Sequence, residues 1–128
     1  MVALVFSTSA GLVAGQDLRL VSAAAAQDHR TVRTLVEQGL DVNAARADGA
    51  TALLWAAHWD DADAVAMLLR AGANVNAADD HGVTPLERAA ENASVLMVQT
   101  LLAAGANPNS SQTSGLTPLM TAARTGNL

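Results

Sequence analysis

Three histidines, His29, His58 and His81, and a run of carboxylates at Asp60, Asp61 and Asp63 are the side chains that could hold a metal or move a proton. Zinc sites need clustered Cys and His, and a catalytic zinc helix needs two His one turn apart. No two of these histidines lie within a helical turn of each other, and there is no cysteine to supply a thiolate or a disulfide. His58 and Asp61, three residues apart, could touch one cation, but the pair lacks a third ligand and reads as solvated surface. The aspartate run suggests calcium at first sight. At the start of a helix, though, carboxylates cap orphan N–H groups and favour the positive end of the dipole, so Asp60 and Asp61 are expected to cap. No glycine-rich phosphate loop is present. The expectation is therefore no catalytic residue, no cofactor, no metal and no small-molecule substrate.

The chemistry that remains is recognition. Trp55, His58 and Trp59 fall within one turn, and residues at i and i+4 share a helix face. Tryptophan buries a large area with few rotors to freeze, which suits it to an interface hot spot. For Trp55 the competing reading is packing.

Composition bounds what can position these groups. At 128 residues the chain suits one domain, given about 100 to 200 residues per domain. An apolar fraction of 51% against 15% charged excludes a disordered linker, and 2% aromatics with abundant alanine suits close-packed helices rather than a large barrel. The formal charge of −5, with every cation an arginine, argues against nucleic acid, because phosphate binding needs a basic face.

The elements themselves repeat. Gly49, Gly82 and Gly115 recur every 33 residues, as do Thr51, Thr84 and Thr117, then Leu53, Leu86 and Leu119, and Asn43, Asn76 and Asn109. Thr84-Pro85 and Thr117-Pro118 place a hydroxyl at a helix N-cap and a proline at its first position. A short helix follows, with small residues such as Ala89 and Ala90 that let a second helix lie close. That second helix carries apolar residues at i, i+3, i+4: Val32, Leu35, Val36, then Val65, Leu68, Leu69, then Val98, Leu101, Leu102. Gly39, Gly72 and Gly105 end it. A polar turn such as Asn76 to Gly82 forms a finger to the next unit.

These motifs, with Thr84-Pro85-Leu86, Ala89-Ala90 and Gly72-Ala73-Asn74-Val75-Asn76 as the fullest copy, resemble the ankyrin-repeat family over Asp17 to Leu128. The resemblance implies an all-α solenoid of helix-turn-helix units with short hairpin-like fingers, in repeats of about 16–47, 48–80, 81–113 and a partial 114–128. It implies a protein partner held on the concave surface. His58 and Trp59, then Glu91 and Asn92, then Arg124 and Thr125 would line that groove. The finger residues Ala47, Asp48, Ala50, Asp80, His81 and Val83 would form its rim, and Glu87, Arg88 and Glu91 its solvated floor. The chain departs from the family where His usually follows Thr-Pro-Leu: Leu54, Glu87 and Met120 stand there, and inter-repeat bracing is expected to be lost. Between the helices, where the family prefers Gly, only Gly126 complies; Gln27, Asp60 and Ala93 hold the other places, making the third repeat a soft point.

Both ends carry expectations. Met1 to Ala14 is apolar, and Val13-Ala14-Gly15 before Gln16 resembles a signal-peptidase site. The run is too short for a permanent span of about 20 residues, and no basic residue precedes Arg19. Residues 1–15 are thus a signal peptide, implying export to the periplasm or beyond, or else an apolar strap on the first repeat in a cytoplasmic protein. The fourth unit stops where its second helix should begin, so the chain is expected to be a fragment of a longer array. A protein-interaction module leads. A spacer within a longer solenoid, or an inhibitor or immunity-like protein that plugs an enzyme, are the alternatives.

Overall fold

The computed structural model describes residues 17–110 and 112–125. The signal or strap segment 1–15 and Gly126 lie outside them. Among the described residues seven helices follow one another: α1 (Arg19–Ala25), α2 (His29–Glu37), α3 (Ala52–His58), α4 (Ala62–Arg70), α5 (Pro85–Glu91), α6 (Val95–Ala103) and α7 (Pro118–Thr125). The first helices α1, α3, α5 and α7 stack side by side in one row, while α2, α4 and α6 each pack on the first helix of their own unit.

Caps set the boundaries. Thr51, Thr84 and Thr117 accept hydrogen bonds from the N–H groups of Leu54, Glu87 and Met120 and so open α3, α5 and α7. Asp28, Asp61 and Ser94 do the same for the second helices through Thr31, Ala64 and Met97. Of the two aspartates expected to cap, only Asp61 does so. Asp60 takes the left-handed place before it, with φ of 57°, as Gln27 and Ala93 do at 60° and 56°. The second helices end in paired bonds of the kind Gly39 N–H to Val36 C=O and Leu40 N–H to Leu35 C=O, which need a left-handed residue at the glycine.

The core is a column of equivalent residues. Leu20, Leu53 and Leu86 are buried between the helix rows with Ala23, Ala56 and Ala89, and Val32, Leu35, Val65, Leu68, Met97 and Leu101 fill the space from the second helices. Small residues on the first helices let the rows approach, and each buried leucine contributes about 1.5–3 kcal/mol. The column opens at α7, where Leu119 is 64% exposed although Leu53 and Leu86 are 1% and 2%. Val98 is only partly buried and Leu102 is exposed, so the expected stripe of α6 is covered at Leu101 alone.

Hydrogen bonds repeated from unit to unit tie the array together in the fingers and on the opposite side. In the fingers, Asp80 N–H donates to Asp48 C=O and Thr113 N–H to His81 C=O, both at 2.8 Å. On the other side, Asn43 spans to the next unit by accepting from Asn74 N–H at 2.7 Å and donating to Gly72 C=O, and Asn76 repeats this with Asn107 and Gly105. The fingers approach so closely that a Cβ on Gly49 would lie 3.0 Å from the Asp79 Cα, at a φ of +86° that side chains rarely adopt.

Candidate functional site

The finger turns present two carboxylates at fixed height. Asp48 accepts from Ala50 N–H, and Asp79 accepts from the N–H groups of His81 and Val83, so one oxygen of each is spent on its own turn. Opposite them, α3 presents Trp55 and His58, and α5 presents Arg88. Together with Ala50, Leu54 and His81 these residues enclose a groove of about 290 Å³.

The aromatic cluster forms as its spacing predicts. The Trp55 and Trp59 rings stack 6.4 Å apart at 25°, and His58 meets both edge-on at 5.4 and 4.7 Å. The Arg46 guanidinium lies 5.5 Å from the centre of the Trp55 ring, a cation over a π face. Trp55 is half-buried, packs against Ala50, Leu54 and Val83 from one side, and holds its indole N–H buried without a hydrogen-bond partner among the described residues. It therefore both packs and walls the groove.

Trp59, 41% exposed, turns away from this groove: its Nε1–H donates to Ala25 C=O at the end of α1, at 3.1 Å. Asn92, its counterpart one unit on, donates from Nδ2 to Ala57 and His58 C=O at 3.1 and 2.8 Å. Both side chains reach back to carbonyls at the C-terminus of the preceding first helix, where helical partners run out. Arg88 is ion-paired to Glu91 at 2.9 Å, while Asp80 and His81 are exposed on the finger.

Several expectations need correction. Ala50 and Val83, expected on the rim, are buried with Leu54 in a small apolar cluster, because each faces inward from its finger. Glu87, expected in the solvated floor, is 1% exposed. Its Oε1 accepts a hydrogen bond from Thr121 Oγ1 on α7, so bracing between units is kept at this position by a carboxylate and a hydroxyl. Its Oε2 is buried without a hydrogen-bond partner among the described residues. Asp61 does not pair with His58; it pairs across units with His29 Nε2 at 2.6 Å. Among the described residues no group of three or more His, Asp or Glu is placed to hold a metal ion.

The structure thus gathers Asp48, Ala50, Trp55, His58, His81 and Arg88 at one groove and places Trp59, Asp80, Val83, Glu91 and Asn92 outside its lining. Leu54 and Asp79 also line it, and sequence reasoning passed over both. Leu54 stood out only as a departure from the family motif, and Asp79 only as a turn former. No described helix is long and apolar enough to cross a membrane. A family model described as ankyrin repeats matches residues 20–112 in three copies. No curated protein matches the chain.

Proposed function

The chain belongs to the ankyrin-repeat family, whose members are generally protein–protein interaction modules, and from that premise we propose that it holds a protein partner in the groove between its fingers and its first helices. The observation that carries this reading is the groove itself, where an indole wall, two histidines and two finger carboxylates converge on a hollow of about 290 Å³. Such a mixture of one large apolar surface with a few oriented polar groups is what an anchoring side chain of a partner requires. The backbone on both sides is fixed by capping and by finger-to-finger bonds, so the groove exists before the partner arrives and little ordering is needed on binding.

The test compares capture of partners by the wild-type chain and by a His58→Ala/His81→Ala variant. The extract is periplasmic or secreted, following the export proposed from the apolar start of the chain. These two side chains face the groove without carrying any fold-critical hydrogen bond. Loss of a partner from the variant, with its circular dichroism unchanged, supports the groove. Equal retention sinks it and leaves the units as spacers. A captured enzyme whose activity falls on binding would make the module an inhibitor.

A further inference from the structure

Helix α6 departs from the two second helices before it. Counted in the 33-residue stride, α2 carries exposed Arg30, Arg33 and Glu37, and α4 carries exposed Asp63 and Arg70. The counterparts on α6 are Leu96, Gln99 and Ala103, also exposed, with Leu96 65% open to solvent. In α4 the counterpart of Gln99, Ala66, is half-buried, but Asp63 and Arg70 stay in water although a further unit follows. They are outward positions that stacking of repeats does not cover, so the open end of the array does not explain why α6 is apolar there.

Charge is segregated in the same sense. All twelve carboxylates lie at or before Glu91, and beyond it Arg124 is the sole charged side chain. Two copies of a chain with formal charge −5 repel each other over most of their surface but can meet at α6 without like charges opposed. Depletion of charge is the compositional mark of an interface core.

We infer that α6 is a self-association surface, on which a second copy of this chain packs its own α6 antiparallel. The helix is suited to a two-fold axis because Gln99 is the middle residue of Val95–Ala103. An axis through Gln99 sets Leu96 of one copy against Leu102 of the other and Val95 against Ala103; Leu102, unlike Leu96, is exposed at a position whose counterparts Val36 and Leu69 are half-buried. An amide is both donor and acceptor, so the two Gln99 side chains can satisfy each other across the axis. Ala103 and Ala104 let the helices approach. The apolar area offered is a few hundred Å² per copy, below the roughly 800 Å² of a standard stable interface, so the contact is a weak, concentration-dependent one. The groove on the first-helix side plays no part in this contact.

Sedimentation velocity of the full chain across the micromolar range tests it. A shift from monomer to dimer with rising concentration, little affected by salt, is expected. Leu96→Asp, which restores the residue type α4 has at Asp63, should weaken association at least about tenfold without altering circular dichroism. Leu96→Lys should do the same with the opposite charge. A chain that stays monomeric throughout, oligomers that grow beyond the dimer, or association that Leu96→Asp leaves intact would each overturn the proposal.

Discussion

Glu87 is a carboxylate removed from water with one neighbour, Thr121, to answer it. Removing that neighbour leaves a buried acceptor unsatisfied, which costs more than the net worth of the bond itself. Thr121→Val is therefore expected to destabilise the chain by about 1–3 kcal/mol in urea denaturation. Glu87→Leu/Thr121→Val should recover much of the loss, since an apolar pair leaves nothing unsatisfied and Leu54 already fills the equivalent place in the unit before. A double variant no more stable than Thr121→Val alone would show that the carboxylate matters for something other than this pair. The sequence marked Glu87 as a departure from the family but could not supply its partner. A repeat alignment compares each residue with its own counterpart, whereas Glu87 meets the residue one place beyond its counterpart in the next unit. The roles of Trp59 and Asn92 were hidden for the same reason. Both sit at the same place in the motif and both reach backward, yet one is an aromatic and the other an amide, and only their shared N–H donors reveal the common task.

Among the elements, the starts and stops of helices were legible because single residues decide them: Thr84 before Pro85, or Gly72 after Arg70 and Ala71. The turns between paired helices were legible too, as places where a left-handed residue is needed and Gly is absent. Ala93 occupies one of them at φ 56°. A left-handed alanine costs about 1 kcal/mol relative to glycine, so Ala93→Gly should raise stability by about that amount in thermal or urea unfolding. No gain would mean that the methyl group contributes packing that offsets its backbone strain. A second test concerns the cap of α2. The hydrogen bond from the Thr31 hydroxyl, with that from its N–H, holds the Asp28 carboxyl below its ordinary range. A depressed folded pKa means stability present above the unfolded value and lost as pH falls through the folded one. The stability gap between wild type and Asp28→Ala should thus be widest near neutrality and close on acidification. A gap that persisted below the carboxylate range would assign the cap to something other than the charge.

At the scale of the whole molecule, the array is held together by neighbours only, so its stability should grade along its length. The α7 helix packs chiefly on α5 and leaves Leu119 in solvent, whereas α3 and α5 are covered on both sides. Native-state hydrogen exchange should find the amides of α7 least protected and those of α3 and α5 most protected. Uniform protection would show instead that the units open together. The repeat architecture was readable from the 33-residue stride, and the groove was readable in part, because residues at matching positions must face the same way. What the stride could not give was which of those residues turn inward, since Ala50 and His81 both line the groove from similar fingers, yet Ala50 is buried there and His81 is exposed. The place of the aromatic cluster has a further bearing on how this molecule can be watched. Both tryptophans stand in the second unit, stacked in one cluster, with Trp59 bonded back to Ala25 of the first unit and Trp55 packed on Val83 of the third, and the described residues beyond Trp59 contain no aromatic ring other than His81. Intrinsic fluorescence therefore reports on the second unit and its contacts with its two neighbours, while far-ultraviolet dichroism sees every helix. If the C-terminal units melt first, the dichroic transition will begin while the emission is still native, and the interval between the two curves will measure how far the array departs from all-or-none unfolding.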